Sequence, residues 1–281
     1  MRQTKDLRFR PFLREVSLLP GESLPSLLTR LTAANFYDPP NLVTKFYTEQ
    51  LADMGIYDQL DCPTCPETFE LLALLTGLSP DQLANATHHY FAPTMNLRES
   101  QSTITLPDGQ ALELIHKYLR DDFRLQNNLQ YCPLCLSQAA YHRLAWYPRA
   151  VAVCLEHQCF LLEKCWRCSK RLSMRMLVER QCTNCEADLT SANLIPVKDD
   201  PYGWFVHESI YSWLGLPSST MASELGLPNQ PSRILFQMLY GLCSSLETRM
   251  DWNYIHWPGS FLREIELPRK LTKRGMKPVF S

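Results

Sequence analysis

The sequence predicts a mainly α-helical fold with a small β contribution. It should consist of a helical head, a central cysteine-rich module and a helical C-terminal segment. Three observations carry this expectation. Glycine is scarce at 10 and proline frequent at 20 of 281 residues, which favours short helices cut by prolines over a large sheet. Leucines recur at helical spacing on both sides of the centre. Between them, cysteines come in pairs spaced i, i+3. A content of 45% hydrophobic and 20% charged residues is that of a globular chain and excludes wholesale disorder. At this length about two domains are expected.

The first 14 residues carry Arg2, Lys5, Arg8, Arg10 and Arg14 against Asp6. Charges scattered in this way leave no apolar core for a signal peptide. No window approaches the roughly 18 apolar residues of a membrane span. Without export the thiols stay reduced, and paired cysteines then favour metal over disulfides.

Residues 20–95 read as four helices. In PGESLPSLLTRLTAANF, Ser23 is a candidate cap with Pro25 in the first turn, followed by Leu24, Leu27, Leu28 and Leu31 at helical spacing. Pro39 and Pro40 open a second helix. The next two lie in PETFELLALLTGLSPDQLANATHHYF, where Gly77 stops one helix and Ser79 with Pro80 starts the other. Joined by TGLS, they suit a helix-turn-helix. Its second helix would expose Asp81, Gln82, Asn85, Thr87, His88 and His89. Gln82 and Asn85 are candidates for adenine edges and His88 for phosphate. The helix has no Lys or Arg, so a packing motif fits equally well. Ahead of it, Cys62 and Cys65 form CPTC, read as a helix-start turn in preference to a metal or redox site. STITLPDGQALEL offers a hairpin turning at PDG, then a helix over 111–125.

Ten of the eleven cysteines fall between residues 62 and 185. Cys132 and Cys135 form CxxC; Cys154 and His157 form CxxH after an 18-residue gap. Cys165 and Cys168 are followed, across 13 residues, by Cys182 and Cys185. Two such knuckles present four ligands to one tetrahedral ion, and the gaps suit zinc ribbons. Sequential pairing gives two sites: Cys132, Cys135, Cys154 and His157, then Cys165, Cys168, Cys182 and Cys185. Interleaved ligation is the alternative. Four good ligands close the coordination sphere, so two structural zinc ions are expected and no catalytic one. Cys159 is a spare thiol or an alternative ligand, and Cys243 a core residue. RLSMRMLVERQ, between the last two knuckles, has the length of a small β-hairpin. The expected domains are therefore 1–125, 126–195 and 196–281, the last with helices over 202–215 and 230–250, a second candidate helix-turn-helix and a basic tail. Trp204, Trp213, Trp252 and Trp257 are expected in the core.

The net charge is only −1, but charge can be local. Residues 163–180 carry Lys164, Arg167, Lys170, Arg171, Arg175 and Arg180 against Glu163 and Glu179, whereas residues 49–70 are acidic. Lys170, Arg171 and Arg175 are the candidate phosphate contacts. No glycine-rich phosphate loop, nucleophile elbow, paired-carboxylate motif or deaminase signature is present, so no enzymatic activity is expected.

LLPGESLPSLLTRLTAAN over residues 18–35, and YCPLC followed by YHRLAW, CLEH, two leucines and CWRC, resemble the TniQ/TnsD family of transposon target-selection proteins. The resemblance covers about residues 15–190. It implies a non-enzymatic adaptor that contacts double-stranded DNA and recruits an AAA+ ATPase to the insertion site. Some members read an attachment sequence themselves; others dock on a CRISPR RNA-guided effector. It also implies a bacterial, cytoplasmic protein. A stand-alone sequence-specific DNA-binding protein is the competing reading.

Overall fold

The computed structural model describes residues 14–36, 61–95, 102–115, 129–148, 151–197 and 201–217. The second head helix and everything after residue 217, including the second helix-turn-helix and Cys243, lie outside them. Among the described residues short helices predominate and two two-stranded antiparallel sheets supply the β content.

Helix α1 (Leu24–Ala34) begins beside Ser23 with Pro25 in its first turn and buries Leu24, Leu27, Leu28 and Leu31. Helix α2 (Pro66–Thr76) starts at Cys65, which occupies the N-cap position. It ends at Gly77 with φ 71°, a left-handed stop that a side chain would strain. Helix α3 (Pro80–Asn85) opens on a full capping box: the Ser79 side chain accepts from the Gln82 N–H, and the Gln82 side chain accepts from the Ser79 N–H. The predicted helix-turn-helix pair is thus present. Its second member is shorter than expected, because Ala86 ends the helix and the Thr87 side chain caps a 3-10 turn over His88–Phe91. Helix α4 (Ala92–Met95) follows. Leucines of α1, α2 and α3 meet in one apolar cluster with Leu106 of the hairpin turn.

Strands β1 (Ser102–Thr105) and β2 (Ala111–Leu114) pair as the PDG turn predicts, with Gly109 at φ 86°. Residues 111–114 are therefore strand and not the start of a helix. Cross-strand pairing to Ser102–Thr105 satisfies their backbone groups.

The cysteine-rich region opens with α5 (Pro133–Gln138), whose first turn is the first knuckle. A small hairpin follows, β3 (Val153–Cys154) against β4 (Cys159–Phe160). Between the last two knuckles the chain forms helix α6 (Met174–Glu179) where a hairpin was expected. Ser173 caps it by accepting from the Met176 N–H, and Met176 and Leu177 are buried. Apolar residues at i and i+1, followed by charged Glu179, give a one-sided stripe that a helix buries better than a two-faced hairpin. Helix α6 lies against α1. After the last knuckle the chain returns to the first sheet: Phe160 N donates to Ile195 O and Val197 N to Gln158 O, both at 2.9 Å. Residues 195–197 thus extend the β3–β4 hairpin, and the two halves of the module interlock.

Helix α7 (Pro201–Trp213) confirms the predicted helix over 202–215. Tyr211 donates its hydroxyl to Val153 O at 2.8 Å. Trp204 packs partly buried on the cluster of Val153, Phe160 and Val197. One core joins Cys62, Phe91 and Ala92 of the head to Tyr131, Trp146 and Leu189 of the cysteine-rich region, Ile210 of α7 and Leu214 just beyond it.

The loop before α1 is tied to the YHRLAW segment, some 120 positions away, at several points. Ser23 N donates to His142 O at 3.0 Å, Leu144 N to Gly21 O at 2.8 Å, and Tyr141 Oη to Pro20 O at 3.0 Å. Beneath them lies a buried polar network. Glu22, 1% exposed, accepts from Ser26 Oγ at 2.8 Å, Leu19 N at 3.1 Å and Arg30 Nη1 at 2.6 Å. Burial raises the Glu22 pKa and these donors lower it. Burial is the larger effect, so the Glu22 pKa stands above the ordinary carboxylate value, with all three donors opposing the rise. Ser26 Oγ also accepts from His142 N at 3.0 Å. The expected Ser23 cap forms no side-chain bond to the helix; its hydroxyl sits 3.0 Å from His142 Nδ1 instead.

Candidate metal centres and nucleic-acid interface

The predicted eight ligands converge on two points. In each tetrad the four ligand atoms lie within 4.8 Å of one another: Cys132, Cys135, Cys154 and His157 in the first, Cys165, Cys168, Cys182 and Cys185 in the second. A zinc tetrahedron with Zn–S legs of about 2.3 Å has edges of about 3.8 Å, or about 3.6 Å where one ligand is nitrogen. The observed edges fit this figure. Cys135 Sγ to Cys154 Sγ is 3.5 Å, and His157 Nδ1 stands 3.5, 3.2 and 3.6 Å from Cys132, Cys135 and Cys154. In the second tetrad Cys165 to Cys185 is 3.7 Å and Cys168 to Cys182 is 3.6 Å. The side chains that come together are those of consecutive knuckles, and no interleaved group of four forms among the described residues. Tight turns hold the knuckles: Ser169 N donates to Cys165 O and Glu186 N to Cys182 O, with Ser169 and Glu186 both at left-handed φ.

The surroundings of the first tetrad suit a metal on Nδ1. His157 Nε2, on the far side of the ring, lies 3.8 Å from Glu156 Oε1 and 3.1 Å from Gln138 Nε2; of the two, the Glu156 carboxylate is the group that can accept a proton from it. Arg143 reaches Glu156 at 4.0 Å and lies over the rings of Tyr141 and Trp146 at 4.8 and 5.0 Å. Cys159 lies 3.6 Å from Cys132 but outside the tetrad, and so is a neighbouring thiol.

The CPTC pair builds no such cluster among the described residues. Cys62 is buried 3.8 Å from His89 Nε2. His89 donates from Nε2 to Pro63 O at 2.6 Å and accepts the Ile115 N–H at Nδ1 at 3.0 Å, so both ring nitrogens are used in the fold.

The three candidate DNA-reading residues of the helix-turn-helix fare differently. Gln82 and Asn85 are exposed on α3. The Gln82 carbonyl is committed to the capping box at 3.0 Å and Asn85 Nδ2 donates to Asp81 at 3.3 Å. His88 is not a surface residue. The chain turns inward after Asn85, leaving His88 3% exposed and edge-on to Tyr147 at 4.7 Å between ring centroids. Thr87 and His89 are buried with it.

The basic candidates are exposed. Lys164 and Arg171 face each other in an antiparallel bridge, and Cys165 N donates to Lys170 O at 2.9 Å, so residues 164–171 form one tight loop around the third knuckle. Lys164, Arg167, Lys170 and Arg171 are solvent-facing and make no ion pair among the described residues. Arg175 is exposed too but shares its charge with Glu179 at 2.8 Å. Trp166, which is not among the residues singled out from sequence, sits at the tip of the loop at 48% exposure. An aromatic between two ligand cysteines, with basic neighbours, was the available signal.

The TniQ family model matches residues 13–161, more than half of the chain. The chain belongs to the TniQ family. The matched segment holds both motifs that the fold joins, the α1 entry loop and the YHRLAW segment, together with the whole first tetrad. As a TniQ protein the chain is transposition-associated, in a family of non-catalytic adaptors. The second tetrad and the basic loop lie beyond the match. No curated protein matches the chain. Among the described residues no helix is long and apolar enough to cross a membrane.

Proposed function

We propose that this TniQ protein is a target-selection adaptor of DNA transposition. In this reading it holds two structural zinc ions, contacts duplex DNA through the loop of the second tetrad, and recruits an AAA+ ATPase to the insertion site. The observation that carries the DNA contact is the loop over 164–171. Four cations without an ion-pair partner among the described residues project from a backbone loop closed around the third knuckle. Such charges on a rigid support suit the phosphate backbone, where contacts position without reading sequence. Zinc would supply folding energy by closing each tetrad. Sequence reading would then fall to a partner, and an RNA-guided CRISPR effector fits that role. The stand-alone sequence-specific reader has less support, since His88 is buried and the Gln82 carbonyl is already used.

Two experiments test this. In the first, the protein is captured on duplex DNA with the AAA+ ATPase encoded beside its gene, with ATP, and with or without a neighbouring RNA-guided effector. Retention that depends on the ATPase supports the adaptor. Tight binding to one DNA sequence, indifferent to ATPase, supports the stand-alone reader. In the second, Lys170→Ala with Arg171→Ala should lower the slope of log affinity against log salt by about 1.8, at about 0.9 for each phosphate left without its cation. An unchanged slope removes this loop from the interface.

A further inference from the structure

We propose that the third knuckle is a binding site for an unpaired nucleobase, with Trp166 as its stacking platform; this rests on the reading of the loop as a DNA contact. Trp166 lies between ligands Cys165 and Cys168, so its backbone is held by the tetrad itself. Its indole N–H donates to Asp188 O at 2.8 Å. That bond fixes the ring and uses its only polar atom. What the half-exposed side chain offers to solvent is apolar ring surface. Among the described residues Trp166 has no aromatic or cation partner. A large aromatic fixed in this way offers a flat apolar face that suits a planar ligand.

The surroundings specify the ligand's charge. Arg167, Lys164, Lys170 and Arg171 share the loop with the ring. The carboxylate nearest in sequence to the ring's anchor is that of Asp188. It is turned to its own turn, accepting from Thr190 N at 2.8 Å, Thr190 Oγ1 at 2.7 Å and Ser191 Oγ at 3.1 Å. A planar group joined to phosphates is a nucleotide. Bases in a duplex already stack on each other, so the ring gains a partner only where a strand is single or opened. A protein that tracks phosphate through the cations and stacks through Trp166 therefore prefers locally opened DNA to intact duplex. Stacking is worth about 1–3 kcal/mol per base, or roughly 5- to 150-fold in affinity.

The test measures zinc-loaded protein by anisotropy on three labelled DNAs of equal length: a duplex, the same duplex with a central mismatched bubble, and one single strand. A single-stranded RNA of the same sequence forms a fourth arm. The expected result is at least fivefold tighter binding to the bubble than to duplex. Trp166→Ala should abolish that preference while leaving duplex affinity within about twofold, and Trp166→Phe should keep part of it. Unchanged zinc content and thermal midpoint certify that the variants are folded. Equal binding of bubble and duplex by the native protein overturns the proposal and leaves the DNA contact standing. So does a bubble preference that survives Trp166→Ala. Failure of the native protein to bind any of the DNAs overturns both. Trp166-dependent preference for the RNA over the DNA strand keeps the stacking site and overturns its assignment to DNA.

Discussion

Ser26 is the joint of the buried network between the head and the YHRLAW segment, and replacing it with alanine should cost far more than a serine normally does. The side chain is fully buried. It donates to Glu22 Oε1 at 2.8 Å and accepts from His142 N at 3.0 Å. Ser26→Ala removes a hydrogen bond to a charged group, about 1.5–3 kcal/mol, and orphans a buried backbone N–H at about 1–3 kcal/mol. Alanine returns about 0.5 kcal/mol in helix propensity. The net loss should be about 3 kcal/mol, a large part of the 5–15 kcal/mol typical of a domain. The assay is urea unfolding at fixed free zinc, followed by tryptophan fluorescence, with Ser137→Ala as control. Ser137 Oγ is exposed and donates only to Leu134 O in its own helix turn, so that variant should move stability by about 0.5 kcal/mol or less. A Ser26→Ala loss no larger than that of Ser137→Ala would refute the argument that this network holds the two segments together.

Metal content should be two zinc ions per chain by atomic absorption. Cys182→Ser should reduce it to about one, and retention of two would remove Cys182 from the ligand set. Acidification should expose the burial of His142, which is 0% exposed. Desolvation first, then the nearby His88 and Arg143, push its pKa from 6.5 down to about 3. The folded protein keeps this ring neutral while the unfolded chain protonates it, so its contribution falls as pH drops from about 6.5 towards about 3. His142→Asn should flatten the pH dependence of stability in that window relative to native protein, and parallel curves would contradict the assignment. Nδ1–H donating to Ser23 Oγ is the tautomer that leaves a bare acceptor at buried Nε2 instead of an orphaned N–H. In NMR of the imidazole nitrogens, Nδ1 should therefore carry the proton. Gly77→Ala should cost about 1 kcal/mol, since φ of 71° is strained for any residue with a Cβ. An unchanged thermal midpoint would count against that helix stop.

Spacing alone marked out the two Cys/His tetrads. A CxxC or CxxH knuckle is a local object, and its turn presents both side chains whatever surrounds it, so the two groups of four that the fold brings together were readable from spacing. The Gly77 stop, the Ser79–Pro80 start and the PDG hairpin were readable for the same reason, because each is a property of a few consecutive residues. Elements whose form depends on distant neighbours were not. RLSMRMLVERQ became a helix whose Met176 and Leu177 enter the core shared with Tyr131, Trp146 and Leu189. His88 went inward because Tyr147, some sixty positions away, packs on its ring. The joining of PGES to YHRLAW by hydrogen bonds across 120 positions gives two separate motifs one structural role. Tertiary structure also decided which cations stand free. Arg175 and Lys170 look alike in sequence, but only Arg175 has a carboxylate one helical turn away on an α-helix. Trp166 is exposed because its ring is anchored to a carbonyl 22 residues on, a constraint set by closure of the second tetrad. Local geometry is encoded in short stretches; which faces stay open is settled only when the distant stretches meet.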